Sequence, residues 1–266
     1  MDFREELWIW GQDPGSHHAV TAFNLPDTNI MTPLEGAYYL GVRNCCRVGM
    51  GNRPQPPFDQ HSMALVSMKQ VVWSITGDSL SNRNDNGWGD LNEVIRQAKM
   101  YPNITGGVLD DFFSEKRRSI FTPERLNEFR NKMTCEVGRK MDLWVVLYDG
   151  QLDEPVKAHL DACDVITFWT WHGKNLDFLD RNLERVIGLT PGKRRLAGCY
   201  MWNYGEHKPL TVEQMEYQCG KYYEWLKKGD IEGIIFCSNC IADIGLEAVE
   251  WTREWINKIA RKSAKK

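Results

Sequence analysis

The chain has 266 residues, of which 42% are hydrophobic and 26% are charged, and its formal net charge is −3. This is the composition of an ordinary globular protein, long enough for one large α/β barrel or two small domains. The weak negative charge gives no reason to expect a nucleic-acid partner, and there is no run of about 18 apolar residues that would cross a membrane.

Short apolar segments alternate with amphipathic segments along the chain. The predicted strands cover residues 6–11, 44–49, 70–76, 104–113, 142–150, 164–172, 195–206 and 231–239. The predicted helices cover residues 34–40, 59–68, 90–100, 122–138, 156–162, 176–187, 211–228 and 248–260. Thr-Pro pairs at 32–33 and 122–123 are typical helix starts, with threonine as the N-cap and proline in the first turn. After the fourth strand, Ser114 to Arg118 is expected to run out into solvent.

Eight strand–helix units in this length predict a (β/α)8 TIM barrel that occupies residues 1–266 as a single domain. Strictly alternating units imply parallel strands joined by right-handed crossovers. The main competing architecture is an open doubly wound sheet, which often carries a glycine-rich phosphate loop. Neither GxGxxG nor GxxxxGK[ST] follows the first strand, which favours the barrel.

Polar and aromatic residues collect at the predicted strand ends, where the active sites of such barrels lie. Tryptophan and tyrosine faces stack on sugar rings, and amide and carboxylate groups bind hydroxyls, so this set predicts a carbohydrate substrate. Any single aromatic residue has core packing as its alternative role. The predicted substrate-binding residues are Trp10, Gln12, Tyr148, Asp149, Trp169, Trp171, His172, Trp202, Asn203, Tyr204 and Asn239.

Glycoside hydrolysis requires two carboxyl groups beside the scissile bond. Asp110 and Asp111 end the fourth strand, and strand alternation predicts that only one of them faces the pocket. Asp111 is favoured because it lies further toward the rim, although Asp110 remains a candidate. Glu206, beyond the seventh strand, is the expected partner, with Asp149 as its substitute; the alternative for Glu206 is a surface ion pair.

The whole chain resembles the TIM-barrel glycoside hydrolases, many of which carry essential carboxylates at the ends of strands four and seven. Residues 106–113, GGVLDDFF, are loosely similar to the chitinase signature DGxDxDxE, but only Gly107 and Asp111 match it. Phe113 stands where the catalytic glutamate would be, so the substrate-assisted chitinase mechanism does not carry over. The strand-four aspartate is also similar to the nucleophile of retaining α-galactosidase-like barrels, a resemblance that implies a nucleophile role for Asp111.

Two other functions stay open: a metal-dependent sugar isomerase or epimerase, and a barrel that binds sugar without cleaving it. The isomerase would use ligands of the kinds found in metal sites. Its candidate ligands are His17, His18, Asp110, Asp111, Asp149, His172 and Glu206. The hydrolase hypothesis needs no metal and no organic cofactor. A Ser/His/Asp hydrolase is disfavoured because GxSxG is missing.

The eight cysteines are spread over the chain, and several of them (Cys45, Cys46, Cys199 and Cys237) lie in apolar strand-like segments. This pattern predicts buried free thiols rather than a disulfide framework. Cys237 and Cys240 have CxxC spacing, but no second CxxC completes a zinc site. The first residues lack the apolar core of a signal peptide, and the compartment and oligomeric state stay open.

Overall fold

The computed structural model describes residues 2–263. The strands are β1 (Leu7–Gly11), β2 (Asn44–Arg47), β3 (Gln70–Thr76), β4 (Ile104–Leu109), β5 (Asp142–Tyr148), β6 (Val165–Trp169), β7 (Arg194–Tyr200), β8 (Trp202–Asn203), β9 (Lys208–Pro209) and β10 (Gly233–Cys237). The α-helices are α1 (Pro33–Leu40), α2 (Asp59–Ala64), α3 (Leu91–Met100), α4 (Glu115–Ile120), α5 (Pro123–Val137), α6 (Lys157–Ala162), α7 (Leu179–Leu189), α8 (Val212–Lys228) and α9 (Glu247–Ser263).

Eight of these strands close into a parallel barrel in the order β1–β10–β7–β6–β5–β4–β3–β2. The predicted (β/α)8 fold class is confirmed. Most barrel strands are rich in buried apolar residues, because the barrel interior covers one face and the helices cover the other, whereas β2 also buries the polar side chains of Asn44 and Arg47. Among the described residues, no helix is both long and apolar enough to span a membrane.

The Thr-Pro pairs start helices as the sequence predicts. Thr32 forms a capping box with Glu35, and Pro33 is the first residue of α1. Thr122 Oγ1 accepts the backbone N–H of Arg125 at the start of α5. These caps satisfy N–H groups that have no partner within the helix.

Six of the eight barrel strands stop earlier than the sequence predicts, which leaves polar rim residues on loops, whereas β1 and β3 end where predicted. The sixth predicted strand extends to residue 172, whereas β6 ends at Trp169. The seventh divides after Tyr200, and β8 pairs with β9 in a separate antiparallel ribbon. These loops can turn side chains in directions that strand alternation would not allow.

The segment after β4 is helical and holds a buried cation. Ser114, Glu115 and Lys116 are exposed, in agreement with the prediction that this segment runs into solvent, but the prediction is wrong for Arg117, which is buried. Ser114 Oγ caps α4 by accepting the Arg117 N–H at 3.3 Å. Arg117 is 3% exposed, and its Nη1 donates to the carbonyls of Gly77 and Asp110, both at 2.7 Å. A single guanidinium thereby ties together the loops that follow β3 and β4.

Candidate active site

A cavity of about 260 Å³ opens at the carboxyl ends of the barrel strands. Side chains from the ends of several different strands and from the loops after β1, β2 and β3 form its walls. The lining residues are Trp10, Gln12, His17, Val20, Phe23, Met50, Asp78, Ser79, Leu80, Asp110, Asp111, Tyr148, Trp171, Tyr200, Tyr204 and Cys237. This is the end of the barrel that carries active sites in enzymes of this architecture.

Asp110 and Asp111 both line the cavity, so the prediction that only one can face it is wrong. Strand geometry ends at Leu109, and Asp111 takes a positive φ of 41°. Aspartate is among the few residues that tolerate this region of backbone space. The Asp111 N–H then donates to Asp110 Oδ1 at 2.9 Å. Because this turn departs from strand geometry, the two side chains no longer point to opposite sides, and both carboxyl groups lie at the wall of the cavity.

Asp110 lies in an environment that favours its neutral form. Its side chain is buried, and burial raises the pKa of this carboxyl well above its ordinary value. The neighbouring Asp111 and Asp78 raise the pKa further, while the Arg117 guanidinium opposes them. Burial also raises the pKa of Asp78. The surroundings of Asp110 therefore favour the protonated carboxyl group more than water does.

Asp111 lies in a more polar environment than its neighbour. Its Oδ1 accepts the Tyr148 hydroxyl at 2.7 Å, and its Oδ2 accepts the Ser79 N–H at 2.9 Å. Burial and the nearby Asp111 raise the pKa of Tyr148 well above its ordinary value, so the phenol remains a donor. Two donors aimed at one carboxyl group hold it in a fixed orientation. The adjacent aspartates thus differ in what surrounds them.

A buried chain of hydrogen bonds forms another part of the cavity wall. His17 Nε2 lies 2.5 Å from Gln12 Oε1, and His17 Nδ1 lies 2.8 Å from the Tyr204 hydroxyl. An amide oxygen only accepts, so His17 carries its hydrogen on Nε2 and Nδ1 accepts from Tyr204. Burial lowers the pKa of His17 to about 3, which keeps the ring neutral. The Gln12 amide nitrogen donates to Met50 Sδ at 3.4 Å and has a second hydrogen to offer a ligand.

Aromatic rings form much of the remaining wall. Trp171 stacks on Tyr204, with ring centroids 5.8 Å apart and planes 26° apart. Tyr200 meets both of these rings at steeper angles, at 5.6 and 5.1 Å. Trp171 is partly exposed and lines the cavity. Such rings bind the apolar faces of sugars.

Glu206 lies outside this lining and is engaged elsewhere. Its Oε1 lies 2.7 Å from His172 Nδ1, and its Oε2 accepts the Gly173 N–H at 3.0 Å. Burial alone would raise the pKa of Glu206, but hydrogen bonds from Asn203 and His172 outweigh it and lower this pKa below its ordinary value. The structure therefore places Glu206 and His172 in a pair of their own and does not bring Glu206 into the cavity with Asp111.

Asp149, Asn203 and Asn239 also lie outside the lining, where they hold loops in place. Asp149 accepts the Trp171 N–H at 3.2 Å, and Asn203 Oδ1 accepts the N–H groups of Gly173 and Glu206. Asn239 clamps the backbone of residue 12 through its Oδ1 and Nδ2, at 2.9 and 3.0 Å. Their hydrogen-bonding groups are engaged within the protein, mostly with the backbone, and Asp149 Oδ2 also accepts from Asn175 Nδ2 at 2.7 Å.

Trp169 and Trp202 are packed into the protein and do not line the cavity. A Cβ on Gly198 would lie 1.9 Å from Trp169 Cδ2, so this indole fills the barrel interior above a glycine. Trp202 is 2% exposed, and its Nε1 donates to the Phe23 carbonyl at 3.1 Å. For these two tryptophans the structure shows the core-packing alternative.

Several lining residues were missing from the predicted site. Asp78 follows β3, and its position at a strand end was the available signal. Tyr200 lies at the end of β7 but fell in the middle of the predicted strand 195–206, so it was not recognised as a rim residue. Phe23 lies in a loop whose course the sequence does not indicate. Cys237 ends β10, and burial raises the pKa of its thiol.

All eight cysteines are free thiols, and all except Cys135 are buried, as predicted. Within residues 2–263, no group of three or more His, Cys, Asp or Glu side chains is arranged to hold a metal ion.

The fold recurs in solved structures of low sequence identity. A GH113 β-1,4-mannanase has a TM-score of 0.55 at 14% identity, over 97% of this chain and 99% of its own. A family 18 glycoside hydrolase, an N-acetylglucosaminidase from Paenibacillus barengoltzii, has a TM-score of 0.54 at 10% identity, over 94% and 99% of the two chains. Tryptophan synthase from M. tuberculosis has a TM-score of 0.51 at 10% identity, over 97% and 93%.

These likenesses concern the fold alone, because the sequence identities are only 10–14%. No protein-family model matches the sequence, and neither does any curated protein. The solved structures that share this architecture are mainly glycoside hydrolases, but they also include tryptophan synthase, so the architecture does not define the activity.

Proposed function

We propose that this protein is a glycoside hydrolase in which Asp110 is the general acid and Asp111 the charged partner. One observation carries the proposal: two adjacent carboxyl groups share an aromatic cavity but have opposite surroundings. Asp110 is buried with a raised pKa, whereas Asp111 accepts two hydrogen bonds. A pair of carboxyl groups whose environments separate their protonation states is how glycosidases assign acid and base roles.

The two groups have complementary tasks in this proposal. Asp110 protonates the glycosidic oxygen as the bond to the anomeric carbon breaks. Asp111 stabilises the positive charge that develops on the sugar, as a nucleophile or as the base for the attacking water. The Tyr148 hydroxyl and the Ser79 N–H orient its carboxylate. In this proposal the aromatic rings of Trp171 and Tyr204 contact the apolar surface of the sugar, and the Gln12 amide donates a hydrogen bond to a sugar hydroxyl.

This assignment replaces the pairing of Asp111 with Glu206 that the strand order favours. Both oxygens of Glu206 already accept hydrogen bonds, from His172 and the Gly173 N–H, and the side chain lies outside the cavity lining. Asp110 lines the cavity directly beside Asp111. The proposal therefore uses the carboxyl groups that share a wall.

Turnover of a panel of aryl glycosides tests the proposal. The purified protein should hydrolyse at least one sugar configuration, and Asp110→Asn or Asp111→Asn should reduce kcat/KM by about 10²–10⁴-fold. Asp153→Asn is a matched control, because this side chain is 88% exposed and lies outside the cavity lining. Glu206→Gln compares the two pairings: a loss as large as that of Asp110→Asn would favour the pairing with Glu206.

Absence of hydrolysis across the panel would overturn the proposal. Sugar binding without turnover would then identify the barrel as a non-catalytic carbohydrate-binding protein.

A further inference from the structure

The cavity is lined by acidic side chains and by no lysine or arginine among the described residues. The acidic side chains are those of three aspartates. His17 also lines the cavity, but burial keeps its ring neutral. Asp111, held by the donors from Tyr148 and Ser79, contributes the negative charge at the wall where the sugar would bind.

Two buried guanidinium groups lie near the cavity, and both are committed to other partners. Arg117 donates to backbone carbonyls and forms an ion pair with Asp85, with Nε and Oδ1 at 3.0 Å. Arg47 pairs with Asp13 and donates to the Val48 carbonyl at 3.0 Å. Neither arginine lines the cavity, so neither presents a cation to a ligand there.

An anionic ligand would therefore meet a carboxylate without a counter-ion. Proteins recognise carboxylates and phosphates with charge-assisted donors, above all arginine. A like charge placed without such a partner in a cavity of limited solvent access weakens binding. A cationic ring, by contrast, would gain from the charge of Asp111.

The cavity size limits how much of a glycan enters. Its volume of about 260 Å³ lies just below the range of about 300–1,000 Å³ typical of pockets for drug-sized ligands. One sugar ring, rather than an oligosaccharide, suits this space.

We propose that the cavity takes a single terminal sugar ring and ranks rings by charge, with a cationic ring bound most tightly, an uncharged ring next, and a ring bearing carboxylate or sulfate rejected. This inference rests on the proposed function and specifies its substrate class. Its basis is the juxtaposition of Asp78, Asp110 and Asp111 in a lining without lysine or arginine.

Isothermal titration calorimetry with matched trios of ligands tests the ranking. Each trio consists of a cationic iminosugar, the uncharged sugar and the corresponding uronic acid, in the gluco, galacto and manno configurations. In the configuration that binds, the iminosugar should bind at least about tenfold more tightly than the uncharged sugar, and the uronic acid at least about tenfold more weakly.

Two variants locate the origin of the ranking. Asp111→Asn should reduce the preference for the iminosugar over the uncharged sugar, because it removes the charge and keeps the shape. Asp153→Asn removes one charge at an exposed position and should leave the preference unchanged. The wild-type ranking alone decides the inference if Asp111→Asn fails to fold.

The outcomes separate this inference from the function on which it rests. A uronic acid that binds as well as the uncharged sugar, or an iminosugar that binds no better, overturns the charge ranking and leaves carbohydrate binding intact. No binding by any trio overturns both.

Discussion

Replacing His17 with glutamine tests whether a buried neutral imidazole holds one wall of the cavity. The ring is 4% exposed and lies between Gln12 and the Tyr204 hydroxyl. Burial, with a smaller contribution from the charge of His18, lowers the pKa of His17 to about 3. In the unfolded chain a histidine has a pKa of about 6.5.

The sign and size of the effect follow from this difference. Below pH 6.5 the unfolded chain takes up a proton that the folded protein cannot, so acidification favours unfolding. Between pH 7 and pH 5, His17 should reduce the free energy of unfolding by about 2 kcal/mol. Asp110 and Asp78 act in the opposite direction, because their raised pKa values let the folded state bind more protons. Their contribution is present in both proteins and cancels in the comparison.

Urea unfolding at pH 7, 6 and 5, followed by tryptophan fluorescence, measures the difference. His17→Gln changes packing as well, so the informative quantity is the change in free energy between pH 7 and pH 5 rather than its value at one pH. The variant should lose about 2 kcal/mol less than the wild type over this range. His207→Gln is the control, because that residue is exposed. The same pH dependence in His17→Gln and the wild type would refute the buried neutral imidazole.

Three further predictions concern single contacts. Tyr148→Phe removes the donor 2.7 Å from Asp111 Oδ1 and should lower kcat/KM about tenfold or more in a glycoside assay; an unchanged value would show that the contact does not matter for turnover. Arg117→Met removes the buried guanidinium from its backbone carbonyls and should lower the free energy of unfolding by about 3–5 kcal/mol, and wild-type stability in urea would contradict the tie between the two loops. Gly198→Ala places a Cβ where Trp169 lies and should cost about 1–3 kcal/mol, whereas a fully stable variant would mean that the indole can move away.

The barrel could be predicted because its signals are local and repeated. Each apolar segment is long enough for one strand, and features such as the Thr-Pro pair at Thr32 and Pro33 mark helix starts. Parallel strands in a closed barrel bring their carboxyl ends to one rim, so residues as distant as Gln12 and Tyr204 were expected in one site. Both line the cavity.

Which rim residues turn inward depends on loop geometry that the sequence does not encode locally. Asp110 and Asp111 face the same cavity because the backbone leaves the strand region at a positive φ, which overrides strand alternation. Glu206 instead forms a hydrogen bond with His172, which lies 34 positions earlier in the chain. Arg117 looks like a solvent-exposed residue in a charged run, but its guanidinium finds carbonyls that only the folded loops bring together.

The leaving-group dependence of hydrolysis tests the central claim most directly. A dinitrophenyl glycoside leaves without protonation, whereas a phenyl glycoside requires an acid. If Asp110 is the acid, Asp110→Asn should lose about 10²–10⁴-fold in kcat/KM on the phenyl glycoside and far less on the dinitrophenyl glycoside. Equal losses on both substrates, or no loss on either, would contradict the assignment of Asp110 as the acid of a glycoside hydrolase.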